Sequence, residues 1–270
     1  MLIIKEKEFS DLVSYLKDNY GINLSQKKTL IEGRLSNHIA DKGYSDFSEY
    51  LNFLFSDKTG KEMGVLINKL TTNHTFFLRE PKHYDFLRDS ILPALTQSVR
   101  DRDIRIWSAG CSSGEEPYTT AMLLDEYFKE QKKSWDLKIL ATDISARVLE
   151  SAVNGIYMPE ALENIPSIWR INYFTKLDDG RYKICDKIKN EVIFRIFNLM
   201  EKQFPFKRRF HVIFCRNVMI YFDQETKREI FRKFYEYLEP GGYLFIGHSE
   251  SMGKENIGFK YVMPAIYQKG

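Results

Sequence analysis

Two periodicities divide the chain. Over roughly the first 70 residues, apolar side chains recur at the spacing of one helix face. Phe9, Leu12, Val13 and Leu16 form one stripe, which Gly21 interrupts. Leu30, Ile31, Leu35 and Ile39 form a second, ending at Gly43. Phe47, Tyr50, Leu51 and Leu54 give a third, with Ser45 or Asp46 as its N-cap, and Met63, Leu66, Ile67 and Leu70 give a fourth. The pattern predicts an all-helical N-terminal domain over residues 1–72. From residue 104 the texture changes to short, nearly continuous apolar runs: IRIW (104–107), LKILATD (137–143), EVIFRIF (191–197), FHVIFC (210–215) and YLFIGH (243–248). Helical patterns such as 118–131 and 224–238 separate most of them. This alternation predicts an α/β domain over 73–270, with a mostly parallel sheet and helices on both faces. Strands without polar alternation fit a sheet covered on both sides.

Two stretches depart from that rhythm. FKYVMPAIYQ near the end predicts two edge strands with Pro264 between them. Residues 154–190 contain Pro159, Pro166 and the turn Asp178-Asp179-Gly180 among Tyr, Phe and Ile residues. The Asp-Gly pair predicts a hairpin, and with it a small antiparallel β insertion near 156–190.

Composition narrows the function classes. The 270 residues are 43% hydrophobic and 29% charged, ordinary for a globular chain. A net charge of +3, with no basic run beyond Lys207-Arg208-Arg209, gives no support for nucleic-acid binding. The N-terminus MLIIKEKEFSDL turns charged after four residues, and no stretch approaches the roughly 20 apolar residues of a membrane span. Neither secretion nor membrane insertion is expected. Cys111, Cys185 and Cys215 lie far apart without a CxxC pair and read as free thiols of a cytoplasmic protein. His38, His74, His83, His211 and His248 show no metal-ligand spacing, so no metal is expected.

The candidate chemistry starts at WSAGCSSGEEPY (107–118), where a strand runs into small residues and then two acids. It is neither a P-loop nor a GxGxxG fingerprint. A helix N-terminus attracts phosphate, but Glu115 and Glu116 would repel it. They suit a ligand with hydroxyls and positive charge, and S-adenosylmethionine carries a ribose, an ammonium and a sulfonium. Asp143 ends the second strand, where nucleoside-binding sheets place a carboxylate on ribose hydroxyls. It follows Gly110 by 33 residues (143 − 110), longer than the usual interval of about 20, because a long helix with a charged exit intervenes. Asn198 ends the EVIFRIFNLM segment and can hydrogen-bond adenine. Cys215-Arg216-Asn217 and then Tyr221 follow FHVIFC, and Pro240-Gly241-Gly242 reads as a turn into the next strand.

WSAGCSSGEEPY, LATDIS, NLM, CRNVMIYFD and PGGYLFIGHSES together resemble the motif set of the chemotaxis receptor methyltransferases, the CheR family. TTNHTFFLRE (71–80) is similar to that family's Asn-x-Thr-x-x-x-Arg motif, and the resemblance covers nearly the whole chain. It implies a Rossmann-like methyltransferase that uses S-adenosyl-L-methionine to form methyl esters on receptor glutamates, releasing S-adenosyl-L-homocysteine. Carried over by motif, Asn73, Thr75, Arg79, Gly110, Asp143, Asn198, Leu199, Arg216 and Asn217 line the cofactor pocket, with Glu115 favoured over Glu116 as a further ligand. Arg79 and Tyr221 face the transferring methyl and the substrate carboxylate. The implied partner is the cytoplasmic helical domain of methyl-accepting chemotaxis receptors. Some family members dock a C-terminal receptor pentapeptide on a longer hairpin than YFTKLDDGRYKI (173–184), so recognition without that tether is expected here. Lys27, Lys28, Arg34, His38 and Lys42 of the second helix are the expected docking face. Base methylation is disfavoured, since CRNV stands where an Asp/Asn-Pro-Pro-aromatic loop would be needed. Competing readings are a cofactor-binding sensor without turnover and a methyltransferase for another carboxylate.

Overall fold

Four amphipathic helices open the chain: α1 (Glu6–Tyr20), α2 (Lys28–Asp41), α3 (Phe47–Ser56) and α4 (Lys61–Leu70). The structure, a computed structural model, describes residues 2–71, 74–253 and 257–270. The predicted stripes are the buried ones: Leu12, Leu16, Ile31, Leu35, Ile39, Phe47 and Leu66 are fully inaccessible. Gly21 ends α1 in the left-handed conformation (φ 72°), where its N–H reaches the Leu16 and Lys17 carbonyls. Asp46 caps α3 by accepting the Glu49 N–H at 2.9 Å. These helices form one unit together with residues 198–202 and 221–230.

Inside that unit the basic side chains of α2 have partners. Lys28 pairs with Glu6, and Arg34 donates to the Lys69 and Leu70 carbonyls at 3.2 and 2.9 Å, closing the end of α4. Lys42 and His38 each lie 2.7 Å from the buried Glu62 carboxylate, which also accepts the Tyr50 hydroxyl at 3.0 Å. Burial works against the charge on Glu62, but these donors outweigh it and hold the carboxyl below its ordinary range.

The second unit comprises residues 74–197, 203–220 and 231–270. It begins with α5 (Pro81–Phe86), a π-helical turn (Leu87–Ile91) and α6 (Leu92–Ser98), to which the sequence pattern assigned nothing. The α/β part runs β1 (Ile106–Ala109), α7 (Glu115–Phe128), β2 (Ile139–Asp143) and α8 (Ala146–Asn154). The insertion follows: β3 (Ile156–Tyr157), α9 (Ser167–Tyr173), β4 (Phe174–Lys176), β5 (Tyr182–Ile184) and α10 (Asp186–Lys189). Then come β6 (Val192–Ile196), β7 (Phe210–Cys215), the part of α11 (Gln224–Tyr237) from residue 231 onward, β8 (Leu238–Ile246), β9 (Phe259–Met263) and β10 (Ile266–Lys269).

The main sheet has the order β6-β2-β1-β7-β8-β10-β9, and the insertion is a separate sheet, β3-β5-β4. The first five main-sheet strands are parallel, and β10 and β9 add antiparallel. Every residue of β1 and β7 is buried, so both faces of the sheet centre are covered. Trp107 of β1 anchors one side among Phe197, Phe204, Phe206, Phe210 and Phe234. Two expectations change. Pro240-Gly241-Gly242 lies inside β8 rather than before it, because the pairing with β7 shifts register between Phe210 and Val212. The bulge brings backbone together: a Cβ on Gly242 would stand 2.9 Å from the Glu239 carbonyl and 3.0 Å from that of His211. Of the two terminal strands only β9 is an edge, since β10 sits between β8 and β9.

Candidate functional site

Parallel strands place their C-terminal ends at one rim of the sheet. Chain order reverses between β1 and β7: β2 and β6 lie to one side of β1, and β7 and β8 to the other. This is the switch point where open α/β sheets bind ligands. Gly110 follows β1 and Arg216 follows β7, so these two residues flank it.

The turn after β1 is built by backbone constraints. The N–H groups of Gly110 and Cys111 both donate to the Thr142 carbonyl, at 2.8 and 2.9 Å. Gly110 has φ +87°, and a Cβ there would collide with Val218 Cγ2. Asp143 bridges the next two turns, accepting the Ser112 N–H at 2.9 Å and the Ser145 N–H at 3.0 Å. Burial raises its carboxyl above the ordinary range despite those donors.

The two glutamates that open α7 differ in environment. Glu116 accepts the Ser108 hydroxyl at 2.7 Å and an Arg216 N–H at 3.1 Å. Glu115 is 4% exposed and accepts the Ser113 hydroxyl, at 2.8 and 2.9 Å; among the described residues it has no ion pair. Burial pushes its carboxyl up. A buried carboxylate without a cation is costly, and a positively charged ligand relieves that cost.

Arg216 is a buried hub. Its guanidinium donates to Glu80 Oε2 (3.2 Å), the Tyr84 hydroxyl (3.1 Å), Glu116 Oε2 (3.1 Å) and the Arg79 carbonyl. It therefore ties together the segments around residues 80, 116 and 216. Asn217 follows with φ +60°. Arg79 is half-buried between two other left-handed residues, Leu78 and Glu80, both at φ 57°. Its guanidinium donates to the His74 carbonyl at 2.9 Å and lies 5.7 Å from the centre of the Phe76 ring. Phe77, fully buried against Tyr157 and Phe174, anchors this turn. Thr75 lies half-buried in the same segment, and Asn73 falls outside the described residues.

Thr75, Arg79, Gly110, Glu115, Asp143, Arg216 and Asn217 thus belong to the α/β unit, whereas Asn198, Leu199 and Tyr221 belong to the helical unit. There the Asn198 side chain donates to the Asn19 carbonyl at 2.7 Å and accepts the Met200 N–H at 3.0 Å. Leu199 is buried, and the Tyr221 carbonyl accepts the Asn23 N–H at 2.9 Å.

The sequence reading passed over Glu80, His83 and Glu250. Glu80 sits beside Arg79 in the LRE motif and Glu250 in GHSES, so their place in motifs was the available signal. His83 is fully buried, and neither ring nitrogen has a hydrogen-bond partner among the described residues. Burial and the nearby Arg216 charge lower its pKa to about 3, so the ring is neutral at neutral pH. Glu80, His83 and His248 offer donor atoms within 4.8 Å of one another. They fit a metal poorly, because Arg216 holds Glu80 Oε2 at 3.2 Å and the His248 N–H holds Oε1 at 3.0 Å. A cation there would face an adjacent guanidinium.

Residues 73–267 match the CheR methyltransferase, SAM binding domain, and residues 7–71 match the CheR methyltransferase, all-alpha domain. The chain is 47% identical over 270 residues to a chemotaxis protein methyltransferase of Borreliella burgdorferi, covering 98% of this chain and 95% of that one. It is 40% identical over 263 residues to a probable chemotaxis protein methyltransferase of Rhizobium etli (92% and 97% covered). The chemotaxis protein methyltransferase of Escherichia coli is 38% identical over 254 residues (93% and 86% covered). Acids for a cationic ligand at the rim of a methyltransferase sheet agree with these matches: the chain belongs to the CheR methyltransferase family and is an S-adenosylmethionine-dependent methyltransferase of chemotaxis.

Proposed function

We propose that the protein methylates glutamate side chains of chemotaxis receptors, forming methyl esters in the cytoplasm. The observation that supports this most is a division of charge in the α/β unit. Glu115 and Asp143 are acids without an ion-pair partner among the described residues, and Arg79 is a base without a carboxylate partner among them. Acids suit the sulfonium and ribose of the cofactor, and a guanidinium suits an anionic acceptor.

A receptor glutamate, with a pKa of about 4.3, is already ionised at neutral pH and needs no general base. S-adenosylmethionine supplies the methyl group: a carboxylate oxygen–carbon bond forms as the carbon–sulfur bond breaks, and the electron pair stays on sulfur. Arg79 holds the acceptor by a charge-assisted hydrogen bond that orients it without taking or giving a proton. Tyr221 orients an acceptor oxygen through its hydroxyl. Asn73, Thr75, Asn198, Leu199, Arg216 and Asn217 complete the cofactor's surroundings in this reading. For Arg216 the role is indirect, since its guanidinium is engaged by Glu80, Tyr84, Glu116 and the Arg79 carbonyl. The helical N-terminal unit docks the receptor's helical domain.

The test uses S-adenosylmethionine labelled in its methyl group, with membranes carrying a chemotaxis receptor. Protein-bound label should be released as methanol by mild base. Arg79→Ala should lower the initial rate about 100-fold, as loss of a charge-assisted bond to the reacting carboxylate would. Base-stable label would overturn the ester assignment.

A further inference from the structure

Three loops meet at the rim where β7 and β8 end: the turn 78–80, the segment 216–220 and the segment 247–250. Two carboxylates join them. Glu250, 9% exposed, accepts the Asn217 N–H at 2.9 Å and the Gly247 N–H at 2.6 Å on Oε2, and the Ile220 N–H at 3.1 Å on Oε1. Glu80 accepts the His248 N–H at 3.0 Å on Oε1 and the Arg216 Nε–H at 3.2 Å on Oε2.

We propose that Glu80 and Glu250 are positioning residues for methyl transfer: Glu250 fixes the Asn217 loop for the cofactor, and Glu80 fixes the Arg79 turn for the acceptor. The Arg79 half rests on the reading given above, while the Asn217 half needs only the cofactor. Both held segments are conformations the chain would not keep alone. Asn217 is left-handed at φ +60°, as are Leu78 and Glu80 at φ 57°. Such non-glycine residues persist only where surrounding contacts over-determine them. The fit is also close. A Cβ on Gly247 would stand 2.5 Å from Asn217 Nδ2 and 2.9 Å from Glu250 Oε2, so only glycine lets the β8 loop approach. A glutamine at 250 cannot replace the carboxylate: its amide nitrogen would face a backbone N–H, donor against donor. At position 80 a glutamine would lose the charge that meets Arg216, which carries the Arg79 carbonyl.

The experiment measures three quantities on the full-length protein: the melting temperature, the affinity for S-adenosylhomocysteine by calorimetry, and the methylation rate at saturating cofactor. Glu250→Gln should weaken S-adenosylhomocysteine binding about tenfold or more, the scale of one lost charge-assisted bond. Glu80→Gln should leave that affinity within about twofold and lower the turnover rate on receptor by about tenfold or more. A merely structural role would lower the melting temperature of both variants and leave ligand affinity and turnover of the folded protein as in the wild type. That outcome overturns the proposal, as does an identical pattern in the two variants. Should Glu250→Gln not fold, Glu250→Asp keeps the charge one methylene short, and the same loss of affinity is expected. If the wild type made no base-labile ester, the glutamate reading would fall, and the calorimetric result for Glu250 would still decide its own half.

Discussion

Consecutive glutamates in one motif have unequal physics here. Glu116 is compensated by Arg216 at 3.1 Å, while Glu115 sits buried on a serine hydroxyl. The difference predicts which acid senses the charge of the ligand. S-adenosylmethionine is cationic at sulfur and its product is not, so Glu115→Gln should weaken the former by about tenfold and the latter little. Burial raises the Glu115 carboxyl, and only the ionised form compensates a cation. The wild-type preference for S-adenosylmethionine over its product should therefore fall as pH falls through that raised value, and the variant should show no such trend. Asp143 is also raised by burial, but ribose is common to both ligands, so the ratio of affinities isolates Glu115. Calorimetry with both ligands over a pH series descending from neutrality to the ordinary glutamate range checks this; equal losses for the two ligands would assign the role elsewhere. Residue types and spacing made the acids and the glycine turn legible in the sequence. Which acid pairs with Arg216 was not legible, because that contact spans 100 positions and depends on the phase of α7. The protein partners of Arg216, expected only as a cofactor contact, were hidden for the same reason.

At the scale of elements, the apolar stripes located the four helices and the buried runs located the parallel strands. Those signals are local, set by side-chain period. Two features escaped because strand pairing decides them, the Gly241-Gly242 bulge inside β8 and the inner position of β10, and the helical segment 81–98 carried no stripe that had been assigned. The basic face of α2 is a similar case. Its charge was visible, but its engagement with Glu62 across α2, α3 and α4 was not. Glu62 is 5% exposed and serves His38, Lys42 and Tyr50 at once. Glu62→Ala strands these groups around a buried site and should lower stability by about 3 kcal/mol. The carboxyl of Glu62 is held below its ordinary range, so its contribution is full above the unfolded pKa and is lost as pH falls through the lower folded value. Urea titrations at pH 7 and at a series of acidic pH values should show a large gap between wild type and variant at neutrality that shrinks only once the pH has fallen below the ordinary glutamate range. A gap that stays constant throughout the acid series would mean that the loss comes from packing and not from charge. The same network bears on receptor docking: reversing the charge of Lys42 would disturb Glu62 as well as any partner, so docking tests belong at Lys27, whose side chain is exposed.

On the scale of the whole molecule, a mostly parallel sheet with polar residues at its strand ends follows from alternating β and α segments and could be read in advance, whereas the order of its strands rests on pairing and could not. The two compact units could not be read as a single cut, because residues 198–202 and 221–230 return to the helical unit from far along the chain. Use of a receptor tether is a question for the insertion. A tethering peptide would join a sheet edge through backbone hydrogen bonds. Among the described residues the edges of the small sheet are β3, with two residues, and β4, with three, and the connection from β4 to β5 is the short turn 177–181. Edges that short present few unpaired backbone groups. A receptor C-terminal pentapeptide should accordingly show no measurable binding to the protein at millimolar concentration. A receptor lacking its last five residues should be methylated at the rate of the full-length receptor. Retained rates with no peptide binding would place recognition in the methylated helices themselves. A large loss of rate on removing those five residues would instead make the small sheet a docking site despite its short edges.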